Sequence, residues 1–464
     1  MQIIEEVFSN LSSWGSNPVL IEPRRNESAL IISAEELMNS IRALSRELHG
    51  WGILKRSPVL LFLDNSVDFV FMFLALMNLE AIPVPGKIEY RTMELDEIFH
   101  NARPHAVVCE KYHLPVVKEY CRRSSLIVRD RGRFILQNRG EAIKPPEEIA
   151  GEIVSINYTY RGYGYPLGAL LPQEQYLHGA KVVQDELAGR SGDVMMVLLP
   201  LSHIFPMVCG LFLCLLYRIT ALIAHTLHPR LIFEYIDRFR VNYMTAVPEI
   251  YELLWRCRQM APDLSSLQLL FSGGSCLSAE LYHKIYKDFG VYLAHGYGLT
   301  EFTPVSRNSA NHNRAGTVGP ICGGVEVKID DPAPDGSGEI LFETKGMARG
   351  YYRRPAETEE VFSNGWFRTG DLGHIENGYL VFDREKKNTR KVNGNMVDLK
   401  EVERTLQRYG GIVRSNINVR DNILRANVLL DWKCNFNEEI PLIRQFLKQN
   451  LSSYKIPRRI GQLL

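Results

Sequence analysis

Asp371 follows Gly370 at the end of the run Trp366-Phe367-Arg368-Thr369. A carboxylate held just past a glycine, at the end of an aromatic strand, suits a bidentate grip on a diol such as a ribose. Turn dipeptides bracket it. Asn364-Gly365 comes before, and Asn377-Gly378 opens the alternating strand Tyr379-Leu380-Val381-Phe382, which ends on Asp383-Arg384. A second group of reactive types stands upstream in His295-Gly296-Tyr297-Gly298-Leu299-Thr300-Glu301. It offers a flat π-face, a hydroxyl donor suited to an oxyanion, and a hard carboxylate suited to a hard cation. A third segment, Thr159-Tyr160-Arg161-Gly162-Tyr163-Gly164-Tyr165-Pro166-Leu167-Gly168, follows a strand expected over 153–158. Backbone amides between its glycines can cradle an anion, and Arg161 is a good partner for phosphate oxygens. A rigid aromatic turn with no phosphate duty fits the same letters. The segment has neither the G-K-[ST] of a Walker loop nor the spacing of a dinucleotide fingerprint.

Taken in order, Gly350-Tyr351, Pro355-x-x-Thr358, Gly365-Trp366-Phe367-x-Thr369-Gly370-Asp371, Gly378-Tyr379 and Asp383-Arg384 closely resemble the signature of the adenylate-forming superfamily. That superfamily comprises acyl- and aryl-CoA ligases, luciferases and the adenylation domains of peptide synthetases. The resemblance extends over essentially the whole chain. It implies a large domain of mixed sheets flanked by helices over 1–383 and a small α+β lid over 384–464. Tyr297 and Gly298 would lie against adenine, Thr300 would contact the α-phosphate, and Glu301 would help to hold Mg²⁺. Asp371 would hold the ribose hydroxyls and Arg384 would reach ribose or phosphate from the hinge. Ser272-Gly273-Gly274 is similar to the Gly-rich turn beside the adenine and acyl pockets. Lys386 would be the pivot of the lid, and Gly394 the lid glycine that lets a pantetheine arm approach closely.

Leu199-Pro200-Leu201-Ser202-His203-Ile204-Phe205 is similar to the P-L-x-H segment of acyl- and aryl-CoA ligases, in which the His lies near the acyl carboxylate. Amino-acid-activating relatives carry an Asp where Ile204 stands. An ammonium would be costly there, so a carboxylic acid with an alkyl or aryl body is expected. Two places depart from the pattern. In the phosphate loop, Thr159, Gly164, Pro166 and Gly168 keep register, but Tyr160, Gly162 and Tyr163 replace hydroxyl residues and Leu167 stands in the Lys position. Arg161 would supply that charge. After Tyr454-Lys455-Ile456-Pro457, the resemblance expects a further G-K pair, which the sequence through Leu464 does not show. Two readings stay open. One is a ligase using ATP and Mg²⁺ that acylates CoA or a phosphopantetheine carrier such as acyl carrier protein. The other is a non-catalytic homologue that binds nucleotide or acyl group as a partner or regulatory subunit.

The elements that position these groups follow from pattern. Ser33-Ala34-Glu35-Glu36 is a capping box for a helix carrying Leu37, Ile41, Leu44 and Leu48, stopped by Gly50. A buried strand over 59–63, a helix capped by Ser66 and the stretch Ala81-Ile82-Pro83-Val84-Pro85 make a parallel βαβ unit. The pattern recurs with strands over 194–199, 219–224, 241–246 and 267–271. Helices are expected over 205–216, near 231–239, from Pro248, and over 278–289 ending at Gly290. Asp398-Leu399-Lys400-Glu401 reads as a second capping box, followed by strands over 417–419 and 426–430 and a helix near 440–451. With 54 basic against 53 acidic residues, the net charge of +1 gives no bias toward nucleic acid or membrane. The eight cysteines form no C-x-x-C pair, which favours reduced thiols in a cytoplasmic protein over zinc or a disulfide framework. The most apolar run, 204–216, falls short of the roughly 20 residues that span a bilayer.

Overall fold

The computed structural model describes every residue except 1, 25, 26, 131, 142–145, 147, 310, 386–388, 394, 421, 432, 433 and 464. Short apolar runs alternating with helical periodicity give α/β architecture with mixed sheets. The fully buried strand Pro58–Phe62 pairs in parallel with Ile82–Pro85 on one side and Ala106–Glu110 on the other. Ser125–Asp130 continues the parallel order, and Arg133–Asn138 closes that sheet antiparallel. The crossover helix Val67–Asn78 starts where Ser66 Oγ accepts from the Phe69 N–H at 3.2 Å. In the capping box at Ser33, Glu36 N–H donates to Ser33 Oγ and the Ser33 N–H donates to the Glu36 carboxylate. That helix runs through Gly50, one residue past the expected stop.

An eight-stranded sheet carries the later βα units. Its order is Phe302–Arg307, Tyr292–Leu299, Leu269–Ser272, Tyr243–Ala246, Val194–Val197, Thr220–Ile223, Pro18–Glu22, Leu30–Ser33. The inner pairs are parallel and the two edge pairs antiparallel. A third, antiparallel sheet holds Glu326–Asp330, Gly338–Glu343, Trp366–Glu376 and Phe362–Ser363, with Tyr379–Glu385 paired to Trp366–Glu376. The expected helix after His203 is continuous over 204–217 but winds as a π-helix through Met207–Phe212. That form is rare and gathers at functional sites. No helix among the described residues is long and apolar enough to cross a membrane.

The C-terminal portion has its own apolar core, running from Val392 through Val402, Leu406, Val428 and Ile443 to Leu451. Its three-stranded sheet includes a strand the sequence pattern did not disclose, Arg459–Gln462, parallel to Ile423–Leu430. The expected capping box at Asp398 is half formed. Asp398 accepts from the Lys400 and Glu401 N–H groups, but the Glu401 side chain does not return the bond. It is engaged elsewhere: Glu401 Oε2 lies 2.7 Å from Lys455 Nζ, and Glu401 Oε1 accepts from the Tyr160 hydroxyl at 2.8 Å. Lys455, fully buried, also donates to Glu94 Oε1 at 2.9 Å and to Tyr160 Oη at 2.7 Å. The ammonium thus donates two hydrogen bonds and stands in ion-pair contact with a second carboxylate. Glu94 belongs to the helix Thr92–Ala102 and Tyr160 to the hairpin Ile153–Tyr160/Pro166–Pro172, so one cation ties three separate parts of the chain together.

Two carboxylates share that cation unequally. For Glu94, burial is outweighed by Lys455 and by hydrogen bonds from Ser452 and Arg91, so its carboxyl stays below the usual range. Burial, opposed by Lys455 and reinforced by Glu94, pushes Glu401 up to about 7. Replacing Lys455 by Met leaves both carboxylates buried without a counterion and should cost about 3–5 kcal/mol in urea unfolding. Adding Glu94→Gln and Glu401→Gln to that variant should recover most of the loss. Folded Glu401 keeps its proton up to about 7, against an ordinary 4.5, so its contribution to stability is full below that lower value and falls as pH rises toward 7. In Glu401→Gln that decline should vanish when urea midpoints are compared across this range.

Candidate active site

Asp371 is aimed by a bulge. Along the pair Gly338–Glu343/Trp366–Glu376, Leu341 faces Arg368 and Glu339 faces Leu372, which leaves Thr369, Gly370 and Asp371 opposite Ile340 alone. Thr369 Oγ1 donates to the Ile340 carbonyl at 2.7 Å and accepts from the Asp371 N–H at 3.0 Å, while Gly370 N–H donates to Glu339 Oε1 at 3.1 Å. Gly370 sits at φ +70°, where a side chain would be strained. The carboxylate so presented accepts the Tyr297 hydroxyl at 2.7 Å. Tyr297 comes from the strand Tyr292–Leu299, and its ring tilts against Phe382 with centroids 6.0 Å apart. The next residue must be small: a Cβ on Gly298 would stand 2.4 Å from Thr303 Oγ1.

Two cavities meet at this hairpin, one of ≈180 Å³ and one of ≈480 Å³, and Gly274, Gly296, Tyr297, Gly298 and Lys391 line both. The smaller takes in Thr159, Arg161, His203, Gly273, Thr300 and Asp371. The larger takes in Thr317, Phe382, Arg384 and Arg390. Tyr297, Thr300, Asp371, His203, Thr159, Arg161, Gly273, Gly274 and Gly298 are therefore brought together. Arg384 reaches only the larger cavity, and its strand, Tyr379–Glu385, still pairs with Trp366–Glu376. Lys386 and Gly394 lie outside the described residues.

Glu301, Gly164 and Gly168 are not on either wall. Glu301 is fully buried behind the smaller cavity, where Tyr351 donates to its Oε1 and Arg161 Nε stands 3.7 Å away. Its Oε2 has no hydrogen-bond partner. Arg161, itself buried, donates to the Arg368 carbonyl at 2.7 Å and lies 4.9 Å over the Phe367 ring. Gly168 is inside the strand Pro166–Pro172, packed on Ile156 and Tyr158. Gly164, at φ +86°, donates its N–H to Asp398 Oδ2 at 2.8 Å. Tyr163 and Tyr165 donate to Glu360 and Glu357, each at 2.6 Å. The tip of the third segment is thus engaged by protein groups, and Leu167, at the position where a Lys was expected, is fully buried.

Three cations on the smaller cavity had no local signal in the sequence: Lys87, Arg307 and Lys391. Lys87 follows the strand Ile82–Pro85 and is 8% exposed. Burial, with repulsion from Lys455, brings its ammonium down to about 8. Burial, with Lys87 adding to it, holds His203 well below the usual imidazole range, so at neutral pH the ring is uncharged. Asp371 is pushed up by burial, against the pull of Lys391 and the Tyr297 bond. His295, on the same strand as Tyr297, falls to about 4 by burial and the repulsion of Lys391. The arrangement is a part-apolar chamber with a hydroxyl, a carboxylate, a neutral imidazole and several cations, suited to an anionic ester that carries a diol.

The model of the AMP-binding enzyme family matches residues 16–352. A putative acyl–CoA ligase of Bacillus subtilis, YdaB, is 26% identical over 90% of this chain and 87% of its own. A 4-coumarate–CoA ligase of Nicotiana tabacum is 27% identical over 87% of this chain and 80% of its own. Among solved structures, o-succinylbenzoate CoA synthetase of Bacillus subtilis, a double mutant bound to its product analogue, superposes with a TM-score of 0.87 at 20% identity, covering 99% of this chain and 94% of that one. The same enzyme in complex with AMP gives 0.73 over the same shares, also at 20% identity.

The Lys87 environment has a direct readout. Competitive acylation, followed by peptide mapping, should give Lys87 a reactivity midpoint near 8, against about 10.4 for an unperturbed lysine. An anion bound in the cavity should move that midpoint upward, because it stabilises the ammonium.

Proposed function

The chain belongs to the AMP-binding enzyme family, and from that premise we propose that it is an ATP-dependent ligase of acyl or aryl acids. It forms an acyl-adenylate and passes the acyl group to a pantetheine thiol, that of CoA or of an acyl carrier protein. The supporting observation is the convergence of Tyr297, Thr300 and Asp371 with His203 on one cavity. Attack on a carboxylate needs a better leaving group than oxide. In the first step a carboxylate oxygen attacks the α-phosphorus and the bond to pyrophosphate breaks. In the second the thiol sulfur attacks the acyl carbon and the bond to AMP breaks.

Asp371 grips the ribose hydroxyls and Tyr297 flanks the base at the junction of the two cavities. Gly273 and Gly274 leave room beside it. Thr300 donates to an α-phosphate oxygen, and Thr159 and Arg161 line the phosphate path. His203, uncharged because of burial and Lys87, donates to the acyl carboxylate without adding charge. Lys87, Arg161 and Lys391 supply positive charge where negative charge gathers. Glu301 Oε2, buried behind the smaller cavity and without a hydrogen-bond partner, would hold Mg²⁺, which would supply neutralisation of phosphate charge. Division into a large part over 1–383 and a lid over 384–464 fits the separate C-terminal core. Arg384 then stands at the hinge with Lys386 as pivot, and Gly394 gives the pantetheine arm access.

One observation favours a second reading, a non-catalytic homologue that binds nucleotide or acyl group. The Gly164 N–H and the neighbouring tyrosines are already committed to Asp398, Glu357 and Glu360. ATP–pyrophosphate exchange with a panel of fatty and aromatic acids separates the two. Exchange with at least one acid is expected, and Asp371→Ala should weaken AMP binding about tenfold or more through lost charged hydrogen bonds. Silence across the panel with AMP still bound would favour the second reading.

A further inference from the structure

Arg307 ends the edge strand Phe302–Arg307, is 6% exposed, and lines the smaller cavity. Its Nε, Nη1 and Nη2 are all buried without a hydrogen-bond partner. A guanidinium stays charged in proteins, and a buried charge left unpaired is expensive. The protein offers it little. The Phe271 ring lies 5.7 Å from the guanidinium carbon. Cys209 and Cys322 are close enough to act on it, but burial pushes both thiols up to about 12, so they are neutral. Glu186 and Asp185, on the helix Gln173–Leu187, act on it only through space, and Asp185 is held by Lys181 at 2.7 Å. The anion that Arg307 lacks must come from whatever fills the cavity.

Resting on the ligase reading above, we propose that Arg307 binds a second carboxylate on the acid substrate, so that the substrate class is a dicarboxylic acid. The planar fork of donors matches a carboxylate in bidentate fashion. It is set apart from the place of activation. Thr300 lies at the turn of the hairpin, whereas Arg307 pairs with Gly296 at the far end. Five residues of strand, on the order of 15 Å, separate Phe302 beside that turn from Arg307. Cys209, Val183, Phe205 and Phe271 line the same cavity as neutral wall. A substrate held at both ends would lay its activated carboxylate toward Thr300 and His203 and its second one toward Arg307.

The test uses the full chain and a series of aliphatic and aromatic dicarboxylic acids, each beside its monomethyl ester, which keeps the shape and removes the second charge. Titration calorimetry gives binding and ATP–pyrophosphate exchange gives turnover. At least one diacid should bind about 10- to 100-fold tighter than its ester. Arg307→Met should erase that difference while leaving the ester's affinity unchanged, and Arg307→Lys should restore part of it. Equal affinity for diacid and ester in the unaltered protein, or no diacid bound at all, would overturn the assignment, and this comparison stands even if Arg307→Met fails to fold. Equal loss of diacid and ester in a folded Arg307→Met would also overturn it. A diacid preference in binding with no exchange for any acid sinks the ligase reading alone. Exchange with monocarboxylic acids and no diacid preference sinks the Arg307 assignment alone.

Discussion

The Lys455 ammonium, closed off from water between Glu94, Glu401 and the Tyr160 hydroxyl, sets the relation of the C-terminal portion to everything before it. An ion this deep is stable only while each of its protons meets an acceptor. Its three acceptors come from a helix of the first sheet's layer, from the mouth of the central hairpin, and from the C-terminal core. Displacing any one of them strands charge in a medium that cannot screen it. The contact is therefore closer to a specification of geometry than to glue: it defines this docking of the parts and penalises near misses of it. Glu401, poised near neutrality, makes that specification sensitive to the medium.

The same docking determines what the hairpin tip can offer a ligand. Tyr160 points into the ion cluster and Gly164 toward Asp398, whereas Arg161, between them, turns the other way to Glu301 and Phe367. Thr159, Tyr160 and Arg161 all line the cavity, but the Tyr160 hydroxyl and the Gly164 N–H are engaged at the interface. Arg161 neutralises a carboxylate that would otherwise be isolated, and the remaining cations, Lys87, Lys391 and Arg307, arrive from three other elements. Positive charge in the chamber is distributed over the fold and not concentrated in one loop.

What could be read in advance divides along a physical line. Features fixed by a few neighbouring residues were legible: the Ser33/Glu36 box, the Ser66 cap, the parallel unit over 58–85, and the Ser278 start and Gly290 end of the helix Ala279–Phe289. The grouping of Tyr297, Thr300, Asp371 and His203 was legible too, because their types match one ligand chemistry and their segments one family pattern. Features that depend on burial were not. Nothing beside Lys87 or Arg307 in the chain distinguishes it from a solvated lysine or arginine, and the pattern around Lys455 did not disclose its burial. Only the closing of distant walls removes their water. Glu401 shows the same limit from the other side: its spacing from Asp398 promised a local cap, and a long-range cation took the side chain instead. The strand Arg459–Gln462 forms because an edge of Ile423–Leu430 is open to it, a fact no local pattern carries.

The bulge at Thr369-Gly370-Asp371 inserts two residues, not one, against Ile340. Strand parity is therefore preserved across it. Phe367 before it and Gly373 beyond it are both buried. Removing a single residue here would turn the outer half of the strand inside out, from Leu372 to the hairpin turn. Loss of a pair would keep the facing of that outer half, at the cost of the pairing of Asp371 with Glu385 across the next strand, and would retract the carboxylate. Length change in this stretch is thus quantised: the outer half of the strand keeps its facing only through even steps.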